Sequence, residues 1–159
     1  RGVERSRGLG DVYKRQGKMV FIELKGVLKR VQDLMALIES SKVNKNQIHF
    51  LCYLPSMIKK LKTKFPSYNA TLNLIPSLFN YDLKKIKNEI SRSQSDGISV
   101  HIDSKQSIKL VKNLKEDNIF ILTWTVNDKR FMKKLLQIGV NGIITDFPEK
   151  LAKLLDKCE

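Results

Sequence analysis

Cysteine, proline, tryptophan and long apolar runs are all scarce in this chain of 159 residues. The two cysteines, Cys52 and Cys158, stand far apart, so they make neither a disulfide framework nor a metal-ligand pair. That usage leans towards a reducing compartment, the cytoplasm before any oxidising one. The longest apolar runs are of the order of Ile119-Phe120-Ile121-Leu122, far short of the ~20 residues of a membrane helix. No GxGxxG and no GxxxxGK[ST] follows any apolar run, which counts against the nucleotide-binding open sheets.

Acidic residues are outnumbered, 16 Asp and Glu against 30 Lys and Arg, for a net charge of +14. Of the 30, 23 are Lys and seven are Arg, and four of the seven (Arg1, Arg5, Arg7, Arg15) fall within the first sixteen residues. Without that stretch, 25 basic residues face 14 acidic ones, or +11. The remaining lysines are scattered in pairs such as Lys59-Lys60, Lys84-Lys85 and Lys133-Lys134. A dedicated nucleic-acid reader shows arginines for bidentate contacts and interleaved aromatics. The preferred reading is therefore a solvated Lys-rich surface, with no nucleic-acid partner expected. A basic module for RNA or an anionic membrane is the alternative.

Residues 1–16, RGVERSRGLGDVYKRQ, have no initiating Met, no helical or strand period and no signal-peptide core. The string resembles translated adapter or assembly debris found before unrelated sequences. It is expected to be a non-native or disordered tag, with the domain spanning 17–159.

What is abundant is a strand-then-helix beat. Residues 19–25 read as a strand that Gly26 breaks, and 27–40 as an amphipathic helix with Val27, Leu28, Val31, Leu34, Met35 and Ile38 inward. Strands follow at 48–53, 71–75, 97–102, 119–126 and 140–145. Helices are expected over 55–64, around Leu83, Ile86 and Ile90, after an N-cap at Ser104, from Asp128 to a C′ glycine at Gly139, and over 149–155 behind Pro148. Six βα units imply parallel strands, in an open doubly wound sheet or in part of a (β/α)8 barrel. Six units and 143 residues are fewer than a complete barrel of roughly 250 residues needs, so the barrel reading requires a missing front.

Function in such folds sits at the C-terminal strand ends. These carry Glu23 and Lys25, Cys52 and Tyr53, Asn73, His101 and Asp103, Trp124 and Asn127, and Asp146. Glu23 and Lys25 are two apart and so share a side of their strand. An unpaired carboxylate and ammonium in a barrel mouth would be costly, which marks the pair as informative.

FIELKG at 21–26, TWTVND at 123–128 and GVNGIITDFPEKL at 139–151 together resemble the second half of glycerophosphodiester phosphodiesterases. Asn141 stands where that family usually has Asp, and Cys52-Tyr53 where it has a Ser-Phe pair. The resemblance implies the C-terminal part of a (β/α)8 barrel of the phospholipase-C-like phosphodiesterase type. It implies a phosphoric diester hydrolase that splits small-molecule glycerophosphodiesters into an alcohol and glycerol 3-phosphate. It also implies a divalent metal, Ca²⁺ or Mg²⁺, with Glu23 as one ligand, Lys25 as a catalytic cation and Trp124 as a wall of the substrate pocket. The family's two acid–base histidines and its other metal carboxylates precede Glu23 in its order, and residues 1–16 hold no HRG and no ExD. The chain alone is therefore expected to be an inactive fragment. Another phospholipase-C-like barrel is the further alternative. His49 reads as structural; His101, nearer a strand end, could touch substrate but matches no catalytic position of the family, so neither histidine is a catalytic candidate; Asp146 reads as a shaper of the last turn.

Overall fold

In a computed structural model, residues 19–25, 31–41 and 43–156 are described. Six strands and six helices alternate: β1 (Val20–Leu24), α1 (Val31–Ser40), β2 (Ile48–Cys52), α2 (Pro55–Lys64), β3 (Asn69–Leu74), α3 (Leu83–Ser93), β4 (Gly97–His101), α4 (Lys105–Lys115), β5 (Phe120–Trp124), α5 (Lys129–Ile138), β6 (Gly142–Ile143) and α6 (Pro148–Leu155). Two 3₁₀ turns, Lys45–Gln47 and Pro76–Phe79, precede β2 and follow β3. Residues 1–16, Gly26, the helix residues Val27 and Leu28, and Cys158 lie outside the described residues.

Local chemistry accounts for the helix ends. Asp82 accepts from Lys85 N at 3.0 Å, and Asp128 from Arg130 N at 2.7 Å and Phe131 N at 3.2 Å. Ser104 and Ser107 form a reciprocal capping box. Gly139 ends α5 at φ 78°, a left-handed conformation that glycine adopts without steric strain.

All strand pairs are parallel, and the sheet order is β1-β2-β3-β4-β5-β6. A doubly wound sheet reverses its order at a switch point. An unreversed order keeps every crossover on one side and lets the sheet curl. The curl is measurable: the His49 ring on β2 lies 5.2 Å from Phe120 on β5, and Tyr53 lies 5.8 Å from Trp124. In a flat sheet those strands would be about 14 Å apart, at ~4.8 Å per neighbour.

The two-residue period then sorts the side chains. Leu24, Ile48, Phe50, Cys52, Ala70 and Leu72 pack under α1 and α2 with Val31, Met35, Ile58 and Leu61. Leu74, Ile98, Val100 and Ile121 pack under the later helices with Ile86, Val111, Leu114, Met132 and Leu135. Alternate residues face the concave side. Cys52 thus faces the helices, 1% exposed, rather than the mouth where its place at a strand end had set it. Burial pushes its thiol pKa up, against hydrogen bonds from the Leu54 and Tyr53 N–H groups. No helix among the described residues is long and apolar enough to cross a membrane.

Candidate active site

Parallel strands bring all six C-terminal ends to one rim. Glu23 and Lys25 project to the concave side of β1 while Leu24 between them is buried under the helices. Lys25 Nζ stands 3.5 Å from Glu23 Oε2, with side chains 83% and 34% exposed. A pair this open contributes little stability, and it leaves the ammonium free to meet an anion.

Asn73, two strands away, donates Nδ2 to Glu23 Oε1 at 3.4 Å. Its own Oδ1 is buried without a partner. Beside it in register is Ser99, whose carbonyl accepts from Trp124 Nε1 at 3.0 Å. That bond fixes the indole across the rim, with the His101 ring 4.7 Å away and Tyr53 edge-on at 88°. Burial raises the Tyr53 phenol pKa, and the nearby Glu23 charge adds to it, so Tyr53 stays a neutral donor.

Among the described residues, the buried side-chain atoms without a hydrogen-bond partner are His49 Nε2, Thr71 Oγ1, Asn73 Oδ1, Ser99 Oγ and His101 Nδ1. All sit on concave-side positions. Each such group costs roughly 1–3 kcal/mol unless something completes it. The upper three, Asn73, Ser99 and His101, surround the place where a polar ligand held by Glu23, Lys25 and Trp124 would lie. Asn73 stands at a strand end with no role assigned to it from sequence; its signal is that Asn69, Thr71 and Asn73 make the alternate positions of β3 polar.

A concave space of about 520 Å³ opens at the other end of the strands, among Met19, Phe21, His49, Phe120, Leu122 and Ile144. Its lining is mainly that of a barrel core, with Asn69, Asp96 and Asn141 at its polar margin. Asn141 stands at that same end. Its Oδ1 accepts from Ile121 N at 2.9 Å and Lys115 Nζ at 3.0 Å, tying β6 to β5. At the rim, Asn127 donates to Asp146 Oδ2 at 2.8 Å and accepts from Asp146 N and Thr145 Oγ1 at 3.0 Å each. These bonds lock the last two βα turns together.

Among the described residues no group of three or more His, Cys, Asp or Glu side chains converges as metal ligands. The Glu23 carboxylate and the free Asn73 oxygen offer at most three oxygens, whereas a hard divalent cation takes roughly six or more. The described residues alone therefore do not fit a metal site, and no chemical step is derived through one.

A family model described as the Glycerophosphoryl diester phosphodiesterase family matches residues 11–150. A glycerophosphodiester phosphodiesterase of Caldanaerobacter subterraneus subsp. tengcongensis is 41% identical over 49 residues, 31% of this chain and 20% of that protein. A glycerophosphodiester phosphodiesterase structure from Parabacteroides distasonis superposes with a TM-score of 0.71 at 18% identity, covering 94% of this chain and 62% of that one. A phosphodiesterase of Oleispira antarctica, solved with the product sn-glycerol-3-phosphate, gives 0.66 at 18% identity, covering 92% and 58%. The chain thus spans about three fifths of the solved structures it matches.

Proposed function

The chain belongs to the glycerophosphoryl diester phosphodiesterase family, and from that premise we propose that residues 17–159 are the C-terminal part of a (β/α)8 domain hydrolysing glycerophosphodiesters. Residues 1–16 are proposed to lie outside that domain, although the family match begins at residue 11. Water attacks phosphorus, the bond from phosphorus to the alcohol oxygen breaks, and the alcohol leaves with a proton, giving glycerol 3-phosphate. The observation that carries this reading is the convergence of Glu23, Lys25, Asn73 and Trp124 on one rim.

Within that site Lys25 meets the phosphate and offsets the negative charge that grows on its oxygens as water adds, a contribution largest in the transition state. Asn73 holds Glu23 in place. Trp124, fixed by its bond to Ser99, walls the pocket for the glycerol or alcohol portion. Glu23 is proposed as one oxygen ligand of the family's divalent metal, Ca²⁺ or Mg²⁺. The other ligands and the acid–base histidines would come from strands preceding β1, beside the open edge that β1 presents. The proposed substrate is a small molecule.

The test is glycerol 3-phosphate release by the complete protein and by its Glu23→Ala variant, with and without chelator. Loss of turnover in the variant and on chelation is expected. Equal turnover by the two proteins would remove Glu23 from the site.

A further inference from the structure

Asn141 sits in a seat that suits a carboxylate better than an amide. It lies between α5 and β6 and is exposed to solvent. Its Oδ1 accepts from Ile121 N at 2.9 Å and from Lys115 Nζ at 3.0 Å, while no acceptor among the described residues takes up Nδ2. The seat thus uses the oxygen of the amide and not its nitrogen. A carboxylate there would keep both bonds and make them charge-assisted, the stronger kind. The surrounding charge agrees. Lys112 and Lys134 share an outer groove with Lys115 against one acid, Glu116. Asp96, which lines the concave space together with Asn141, is already paired with Lys62 at 2.8 Å.

The next residue makes that amide reactive. Among the asparagines of the chain, Asn141 alone precedes a glycine. A glycine amide nitrogen has no neighbouring Cβ to shield it, so it reaches the preceding side-chain carbon with least hindrance. Packing favours glycine here, since a Cβ at 142 would lie 2.7 Å from Leu122 Cδ2. The Asn141 side chain must leave its two bonds before it can react, and the local fold makes that opening cheap. β6 is two residues long and, among the described residues, pairs with β5 alone. Short strand ends at a sheet edge open far more readily than a core.

We propose that Asn141 is a modification site, at which the chain deamidates itself to the aspartate that its seat holds best. The Gly142 nitrogen attacks Cγ of Asn141, its proton leaves with the Nδ2 group as ammonia, and a cyclic imide forms. Water then opens the ring. Attack at the former side-chain carbonyl breaks the new C–N bond and restores the main chain with aspartate. Attack at the α-carbonyl breaks the original peptide C–N bond and routes the chain through the side chain as isoaspartate, longer by a methylene. That methylene separates Asn141 N, which donates to Ile121 O at 2.8 Å, from Gly142, which lies opposite Leu122. The fold accepts the first product and rejects the second. Water is the only co-reactant, and ammonia the only leaving group.

The test needs no turnover, so it fails or holds independently of the proposed hydrolysis. The purified chain is held at mildly alkaline pH, native or in urea, then digested, and its peptides are resolved by mass and by chromatography against aspartate and isoaspartate standards. In the native chain the peptide bearing Asn141 should gain the mass of OH over NH₂ before any other asparagine converts. Aspartate should form a larger share of the product there than in urea, where nothing holds the backbone. Gly142→Ala, which Leu122 admits by turning its side-chain end, should slow conversion severalfold. Asn141→Asp should raise the urea midpoint above that of the wild type, and the gain should shrink in a Lys115→Met background, as a coupled pair requires. Five results would each overturn the proposal: an Asn141 amide that stays intact in the native chain while the urea sample converts, equal aspartate shares in the two samples, undiminished conversion in Gly142→Ala, an Asn141→Asp midpoint at or below that of the wild type, or a gain indifferent to Lys115→Met.

Discussion

Acidification should destabilise this fold through one residue, His49. Its ring lies 5.3 Å from Phe21 and 5.2 Å from Phe120, nearly parallel to the latter, and is 3% exposed. Nε2 has no hydrogen-bond partner. Burial lowers its pKa below the ordinary 6.5; the Asp96 charge opposes that shift and the Lys62 charge adds to it. The folded chain therefore keeps His49 neutral at a pH where the unfolded chain takes up a proton. Stability from this group is fully present above 6.5, falls as pH drops below 6.5, and stops falling once pH passes the lowered folded value. One proton gives a slope of at most about 1.4 kcal/mol per pH unit. Urea midpoints by circular dichroism, at one chain concentration from about pH 7.5 to about pH 5.5, measure it. His49→Phe keeps an aromatic ring between Phe21 and Phe120 and removes the proton site, so its curve should be flatter through this window. Asp103 does not interfere. Burial raises its pKa, but hydrogen bonds from Ser104 and Tyr81 outweigh that and hold it below 3.8, so its contribution is lost only at lower pH. Parallel pH curves for wild type and His49→Phe would refute the reasoning.

Three further outcomes follow from particular contacts. A Cβ at Gly97 would lie 2.4 Å from Phe120 O and 2.8 Å from Phe120 Cβ, so Gly97→Ala should cost about 1–3 kcal/mol as an overpacked contact, read as a lower urea midpoint; an unchanged midpoint would show that β4 and β5 can separate freely. In the complete protein, Lys25→Ala should lower kcat more than it raises KM, because its charge matters most as phosphorus gains negative charge; a rise in KM alone would place Lys25 in ground-state binding. Among the described residues β1 pairs with β2 alone and β6 with β5 alone, and such edges invite pairing between chains, so the 18.3 kDa chain should elute from size exclusion above its monomer mass; a monomer peak at all concentrations would contradict this.

The βα order was legible because each strand is an apolar run and each helix repeats its apolar residues at helical spacing. Caps at Ser104 and Asp128 and the glycine at 139 were legible too, because capping depends on side chains a few residues apart. Boundaries were less so. Residues 140–145 read as a strand, yet only Gly142–Ile143 form a ladder, since β6 has one neighbour and its apolar flanks outlast its hydrogen bonds. β3 starts at Asn69 rather than 71, because Ala70 is fully buried and Asn69 lies opposite His49. That pairing depends on β2 and cannot be read from a polar Tyr-Asn-Ala stretch. At the site, the shared side of Glu23 and Lys25 follows from the strand period alone. The bond from Asn73 to Glu23 does not, because it joins residues 50 apart and requires β2 to seat them at compatible heights.

The concave face is divided along its length, and the division separates stability from chemistry. Towards the strand starts, Phe21, His49, Phe120 and Leu122 form a largely apolar layer. Towards the strand ends come Glu23, Asn73, Ser99, His101 and Trp124, with hydrogen-bonding atoms left open at Asn73, Ser99 and His101. An apolar side chain at any of those three positions would remove a cost of roughly 1–3 kcal/mol, the same cost that His49 Nε2 and Thr71 Oγ1 carry below them. The same division distinguishes the two histidines. His49 pairs with Phe21, two residues below Glu23 on β1, inside a layer that disfavours its charged form. His101 ends β4 opposite Trp124, at the level where a phosphate held by Lys25 would arrive. A proton on His49 would have no ligand to reach, so its chemistry is spent on packing and its titration surfaces only as stability.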